Sequence, residues 1–187
     1  MKVHLFNTAA ADFTQMLGRF SLGKESRHIS KSYTKGVMAL YASKTMKMAV
    51  DIEVKKERSP QVIRHFIEKF ATFGIDSIPS APDSLWFYRA WTAMESYFKL
   101  CGSGFSTPKD FTLDLDCKAI WQRGKQVAWV EHFDVDNIAT NKNGVNNFIF
   151  CLCGGAPFHR GDVGLRYHEG NAKQEEIIFM AEAGGRG

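Results

Sequence analysis

The chain has 187 residues, 44% of them hydrophobic and 13% aromatic, which suits one domain of ordinary size or two small lobes sharing a core. No stretch reaches the ~18 consecutive apolar residues of a membrane span. Met1 to Phe20 lacks the charged, apolar, small-residue order of a secretory signal, with Asp12 in its middle, so a cytoplasmic protein is expected. The net charge of +4 is unevenly spread: residues 1–70 hold 13 Lys or Arg against 6 Asp or Glu, and the remainder 11 against 14. A basic first half calls for an anionic partner; the phosphates of a cofactor or an acidic protein fit, and nucleic acid is not expected because no recognised binding motif accompanies the charge.

In residues 1–20, Phe6, Phe13, Met16, Leu17 and Phe20 could line the apolar side of a short helix. Gly23 to Ser32 reads as a polar loop of hydroxyls and cations, a mixture that suits phosphate and equally suits any exposed loop. Val37–Ser43 and Met46–Val54 read as buried strands, with Lys44-Thr45 short enough to join them as a hairpin. In the second strand Val50, Ile52 and Val54 alternate with Asp51 and Glu53, which puts both carboxylates on one side, roughly 7 Å apart at Cβ. Two readings of that pair stay open: a solvated outer face, or a site for a hard cation such as Mg²⁺, which takes carboxylate oxygens together with substrate phosphates.

Ser59 with Pro60 resembles an N-cap followed by Pro at the first helical position, opening a helix to about Phe73 that Gly74 closes. After a linker carrying Pro79, Ser80 and Pro82, a long helix is expected from a cap at Asp83 or Ser84 to about Cys101, stopped by Gly102 and Gly104. Its surface is apolar nearly all round and should be buried. One stripe departs from that: Arg89, Thr92, Glu95, Ser96 and Lys99 follow three- and four-residue spacing and so share a face. An internal Glu95–Lys99 ion pair and a cleft wall are both compatible with the spacing.

Beyond the helix, Phe111–Asp116, Val127–Phe133 and Val145–Cys153 read as strands, with Asn143-Gly144 as a turn signal, and Gln174–Ala183 as a last helix or strand. The cysteines, at 101, 117, 151 and 153, have neither zinc-ribbon nor redox spacing, and Cys151 and Cys153 would share one strand face as buried thiols. None of the six histidines falls in a His-Glu-x-x-His pattern, and there is no Gly-x-Ser-x-Gly elbow.

Taken together, Ala49-Val50-Asp51-Ile52-Glu53 and Trp91-Thr92-Ala93-Met94-Glu95-Ser96-Tyr97-Phe98-Lys99 resemble the two signature motifs of the 4′-phosphopantetheinyl transferases, most of all the type that activates nonribosomal peptide and polyketide synthases. In that family the first motif is a Gly-x-Asp-x-Glu strand and the second a Trp-x-x-Lys-Glu-x-x-x-Lys helix. Phe87-Tyr88 ahead of the tryptophan and the loop Gly102 to Pro108 agree with the pattern, and Gly23-Lys24 and Ile29-Ser30-Lys31-Ser32 look like its Gly-Lys-Pro and Ser-His-Ser segments. Three positions depart from it: Ala49 for the motif glycine, Lys31 for a histidine, and Met94 for the lysine before the glutamate.

The resemblance implies an α+β fold of two pseudo-repeated lobes, each a long helix on a small antiparallel sheet, in a single domain: a short lobe over about 1–45, a second over about 46–160, and a tail over 161–187. It implies metal ligands at Asp51, Glu53 and Glu95 for Mg²⁺, or Mn²⁺ in its place. Coenzyme A as substrate would meet Lys24, Ser30, Lys31 and Lys99 at its phosphates. Glu95 and Lys99 would be the catalytic pair, and the partner an acyl or peptidyl carrier protein docking on the basic connection Lys55–Arg64. A shortened first lobe could be completed by homodimerisation. The alternative is a non-catalytic member of the fold that binds coenzyme A or a protein.

Overall fold

The computed structural model describes residues 1–8, 28–70, 74–76, 78–102, 111–140, 144–168 and 174–177. Among these residues, eleven strands and two α-helices follow one another as β1 (Lys2–Asn7), β2 (His28–Thr34), β3 (Val37–Ser43), β4 (Met48–Val54), α1 (Pro60–Phe70), β5 (Ile75–Asp76), α2 (Ser84–Cys101), β6 (Phe111–Asp114), β7 (Ala119–Gln122), β8 (Lys125–Thr140), β9 (Gly144–Gly154), β10 (Gly164–His168) and β11 (Gln174–Ile177). They form an α+β protein with a five-stranded sheet, β11-β10-β1-β3-β2, and a six-stranded sheet, β4-β9-β8-β7-β6-β5.

The alternation along β4 assigns the two faces of the six-stranded sheet. Val50, Ile52 and Val54 join Phe133, Phe148, Phe150 and Leu152 in a core shared with Val3, Leu5, Val37, Ala39 and Leu165 of the other sheet. Ala49, Ile149, Cys151 and Cys153 face the opposite way, into a second core built with Ile63, Phe66 and Phe70 of α1 and with Phe87, Ala93, Met94 and Phe98 of α2. A sheet covered on both faces needs apolar side chains at consecutive positions, which is why β9 reads Phe-Ile-Phe-Cys-Leu-Cys without a polar break. Cys151 and Cys153 share the helix-facing side as free, buried thiols.

The ends of α2 fall where the sequence puts them. The Asp83 carboxylate accepts the Trp86 N–H at 2.8 Å, and Gly102 closes the helix at φ 73°, a left-handed conformation that costs glycine little. Ser59 opens α1 as expected, its hydroxyl facing the Val62 N–H at 3.4 Å and its carbonyl taking the Ile63 N–H.

Three local expectations give way. Of the apolar set expected on a short helix, Phe6 belongs to strand β1, which is held on both sides, parallel to β10 and antiparallel to β3, by segments far away in sequence, while Phe13, Met16, Leu17 and Phe20 lie outside the described residues. His28 to Ser32 belongs to β2 instead of a loop, since its backbone pairs with β3 from His28↔Ser43 to Thr34↔Val37. Lys44-Thr45 does not close a hairpin: β3 pairs with β1 and β2, and β4 pairs with β9 in the other sheet. The Ser43 hydroxyl takes the N–H groups of Thr45 and Met46 at 3.2 and 3.1 Å, and this turn sends the chain across between sheets. After Gly154 the chain re-enters the five-stranded sheet as β10 and β11. β8 and β9 pair antiparallel as far as Thr140↔Gly144, while Asn143 and Gly104 lie outside the described residues. Both described helices pack on the six-stranded sheet, so a second helix-on-sheet lobe is not among the described residues.

Removing the N-cap carboxylate by Asp83→Ala is expected to cost about 1 kcal/mol. Urea unfolding should show that loss as a lower midpoint with an unchanged slope.

Candidate active site

The face of β4 that carries Ala49 looks toward α2, and Asp51 and Glu53 continue it. Asp51 is 4% exposed at the place where α2 crosses the strand. Lys99, in the last turn of α2, donates to Asp51 Oδ1 at 2.6 Å and to the Val50 carbonyl at 3.3 Å. The Ser32 hydroxyl of β2 donates to the same Oδ1 at 2.7 Å. Asp51 Oδ2 is buried and, among the described residues, has no hydrogen-bond partner. Glu53 Oε2 receives a long contact from the Thr34 hydroxyl at 3.4 Å, and a hydrogen bond from the Trp91 side chain also stabilises its charge. Glu95 is half-buried and, among the described residues, in no ion pair. The spacing left an internal Glu95–Lys99 pair open; the ammonium turns to Asp51 instead.

Electrostatics ties the three carboxylates together. Burial pushes Asp51 up, and Lys99 followed by the Ser32 hydroxyl pull it back. Burial raises Glu53 as well, and the Asp51 charge raises it further. For Glu95 burial is again the first cause, Asp51 the second, and Glu53 adds to the rise. Three acids raised by burial, two of them further by the Asp51 charge, and one with an orphaned buried oxygen form a set a hard cation would relieve. Among the described residues no three His, Cys, Asp or Glu side chains stand together as a ready-made cage.

Next to Lys99 lies a cavity of about 380 Å³ lined by His28, Ile29, Ser30, Lys31, Lys47, Met48, Lys99 and Leu100. It gathers three of the four expected phosphate-side residues, Ser30, Lys31 and Lys99, while Lys24 lies outside the described residues. Two members escaped the motif reading, and alternation could have found both. His28 shares the β2 face of Ser30 and Ser32, and Lys47 stands one step before β4 in register with Ala49 and Asp51. Three lysines and no carboxylate line this cavity, so it favours an anion. A larger cavity, about 620 Å³, opens beside Arg89 and His132 on another flank of α2; none of the motif residues lines it, and the chemistry of the site does not point there.

The polar stripe of α2 thus divides. Thr92 and Ser96 are fully buried and spend their hydroxyls on the Tyr88 and Cys151 carbonyls, Arg89 is exposed, and Lys99 alone reaches β4. Met94, which stands where the family motif carries a lysine, is 1% exposed in the apolar cluster and takes no part in the polar cleft. Arg58 is an addition the motifs did not signal: its guanidinium lies over the Phe87 and Tyr88 rings at 5.4 and 5.1 Å, and its charge acts on Glu53.

A sequence-family model described as the 4′-phosphopantetheinyl transferase superfamily matches residues 47–153. The chain belongs to this superfamily. The matched span begins beside the acid strand and ends in β9, so it contains both described helices and the three acids Asp51, Glu53 and Glu95, while Ser30, Lys31 and Ser32 of β2 lie before it. No curated protein matches the chain. Membership makes it a transferase of the phosphopantetheinyl kind, and among the described residues no helix is long and apolar enough to cross a membrane.

Crowded acids should weaken the metal-free fold. A carboxyl group whose folded pKa is raised favours the folded state below its unfolded value of 4.5, and that advantage disappears as pH rises through the folded value. Without metal, Glu95→Gln is therefore expected to melt higher than the parent protein at pH 7, with the difference closing below about pH 4. Thermal melts at the two pH values, with chelator present, measure it.

Proposed function

We propose that the protein transfers the 4′-phosphopantetheine group of coenzyme A to a serine of an acyl or peptidyl carrier protein, releasing adenosine 3′,5′-bisphosphate. The observation that carries this reading is the Lys99 ammonium, which donates to Asp51 at 2.6 Å and also borders the lysine-lined cavity, while the Asp51 charge reaches both Glu53 and Glu95. Asp51, Glu53 and Glu95 would hold Mg²⁺, which supplies charge neutralisation at the pyrophosphate when bound. Lys99, Lys31 and Lys47, with Ser30 and His28, would take the phosphates of coenzyme A, and Lys24 remains an expectation from the motif. Glu95 has no ion pair to give up among the described residues, so it is the group we assign to accept the proton of the attacking serine. That hydroxyl oxygen forms the new bond at the β-phosphorus, and the bridging oxygen leaves with the adenylate portion. Lys99 would meet the charge gathering on that leaving group.

The basic connection after β4 is our choice for docking an acidic carrier, with one revision. Lys55 is committed within the chain, 2.9 Å from both Asp134 and Asp136, and Arg58 lies over Phe87 and Tyr88, so the exposed Lys56 and Arg64 are left to face a partner. Such docking weakens as salt rises. A cytoplasmic location goes with this activity.

A second reading keeps coenzyme A binding without transfer. The observation in its favour is that an ammonium, at 2.6 Å, already neutralises the central carboxylate. Incubating the protein with apo carrier, coenzyme A and Mg²⁺ and weighing the carrier separates the two: a gain of one phosphopantetheine group establishes transfer, and an unmodified carrier leaves binding only. Asp51→Ala is expected to lower carrier labelling by fluorescent coenzyme A at least ~100-fold with the fold retained by circular dichroism. Chelating the metal should stop labelling as well; undiminished labelling in either case removes the metal assignment. For Lys99→Ala, calorimetry is expected to show coenzyme A bound about tenfold more weakly, and parental affinity would take Lys99 out of the phosphate site.

A further inference from the structure

The two sheets meet at β2 and β4, and no backbone ladder joins these strands; they are the last members of separate sheets. Hydroxyls take the place of the ladder. Ser30 Oγ accepts the Val50 N–H at 3.0 Å, Ser32 Oγ donates to Asp51 Oδ1 at 2.7 Å, and Thr34 Oγ1 faces Glu53 Oε2 at 3.4 Å. The three hydroxyls sit at alternate positions of β2, hence on one face, and their partners advance along β4 in the same direction. Two of the three contacts end on the carboxylates of the acid strand.

We propose that β2 is a positioning strand for the acid cluster, with Ser32 as its main residue and Thr34 as a weaker second. This inference rests on the metal reading given above. Asp51 Oδ1 receives two donors, Ser32 and Lys99, whereas Oδ2 is buried and receives none. A buried carboxylate oxygen without a partner is costly, so the geometry reserves Oδ2 for a cation. The two donors on Oδ1 differ in kind. Lys99 is a flexible ammonium that also borders the lysine-lined cavity, and a bound phosphate competes for it. Ser32 is 7% exposed, has a single χ1 and, among the described residues, makes no other hydrogen bond with its hydroxyl. When phosphate draws the ammonium away, Ser32 still holds the carboxylate with Oδ2 facing the cleft. Because β2 precedes the matched family span, this device couples the seam between the sheets to the metal site.

The test uses the full-length protein with coenzyme A present and Mn²⁺ as the probe, followed by electron paramagnetic resonance, for the parent, Ser32→Ala, Ser32→Thr and Thr34→Val. Partners behind a metal ligand commonly contribute ten- to hundredfold in affinity, so Ser32→Ala is expected to bind Mn²⁺ about tenfold more weakly. Coenzyme A affinity should be unchanged and the transfer rate recovered at high metal, a KM effect with kcat kept. Ser32→Thr, which keeps the hydroxyl, should restore Mn²⁺ affinity to within about threefold, and Thr34→Val should lose less than Ser32→Ala. Should Ser32→Ala fail to fold, Ser32→Cys, nearly isosteric with a weak donor, serves the same comparison. A variant with a lower melting point and parental Mn²⁺ affinity overturns the inference, leaving Ser32 as a seam contact only. A parent protein that binds no Mn²⁺ overturns the metal reading itself and this inference with it, so the two failures are told apart by which protein shows them.

Discussion

The contact of Lys99 and Ser32 with one oxygen of Asp51 is the constraint on which the rest of the site depends. A carboxylate at 4% exposure is unfavourable in the fold unless donors reach it, and both donors come from elements other than its own strand. One is the last turn of α2, the other an edge strand of the opposite sheet. Meeting the requirement therefore fixes the crossing of the helix over β4 and the approach of the two sheets at once. Glu53 and Glu95 then fall within electrostatic reach of the same point.

That arrangement needs a rigid platform, and the six-stranded sheet supplies it. Both of its faces are buried, one under the helices and one against the second sheet, so β4 and β9 cannot slip in register without moving apolar side chains into the wrong core. The helix is sorted by the same packing. Its apolar majority sits on the sheet, Thr92 and Ser96 satisfy themselves on nearby carbonyls, and Glu95 and Lys99 are left half-exposed at the border of the cleft. Met94 belongs to the packed side, which explains how the motif position can lose a charge without disturbing the acids.

The superfamily match and the geometry divide the molecule differently. The match ends where the six-stranded sheet ends, yet the site draws on β2, which lies before it. Lysines of one cavity likewise come from β2, from the approach to β4 and from α2.

Much of this was legible in the sequence because it is governed by local rules. Asp83 and Gly102 mark the ends of α2 through capping chemistry, alternation puts Asp51 with Glu53, helical spacing puts Glu95 near Lys99, and the two motifs together name the superfamily. Tertiary structure alone decided the rest. β2 is too polar to announce itself as a strand, and becomes one because β3 supplies its backbone partners. β1 is a strand because β10, over 150 residues away, runs beside it. The chain changes sheets after β3, where length alone suggested a hairpin. Lys99 chooses Asp51 over Glu95, four residues away, because a buried carboxylate gains more from an ammonium than a half-solvated one does. Periodicity says which residues share a face; only long-range packing says what that face meets.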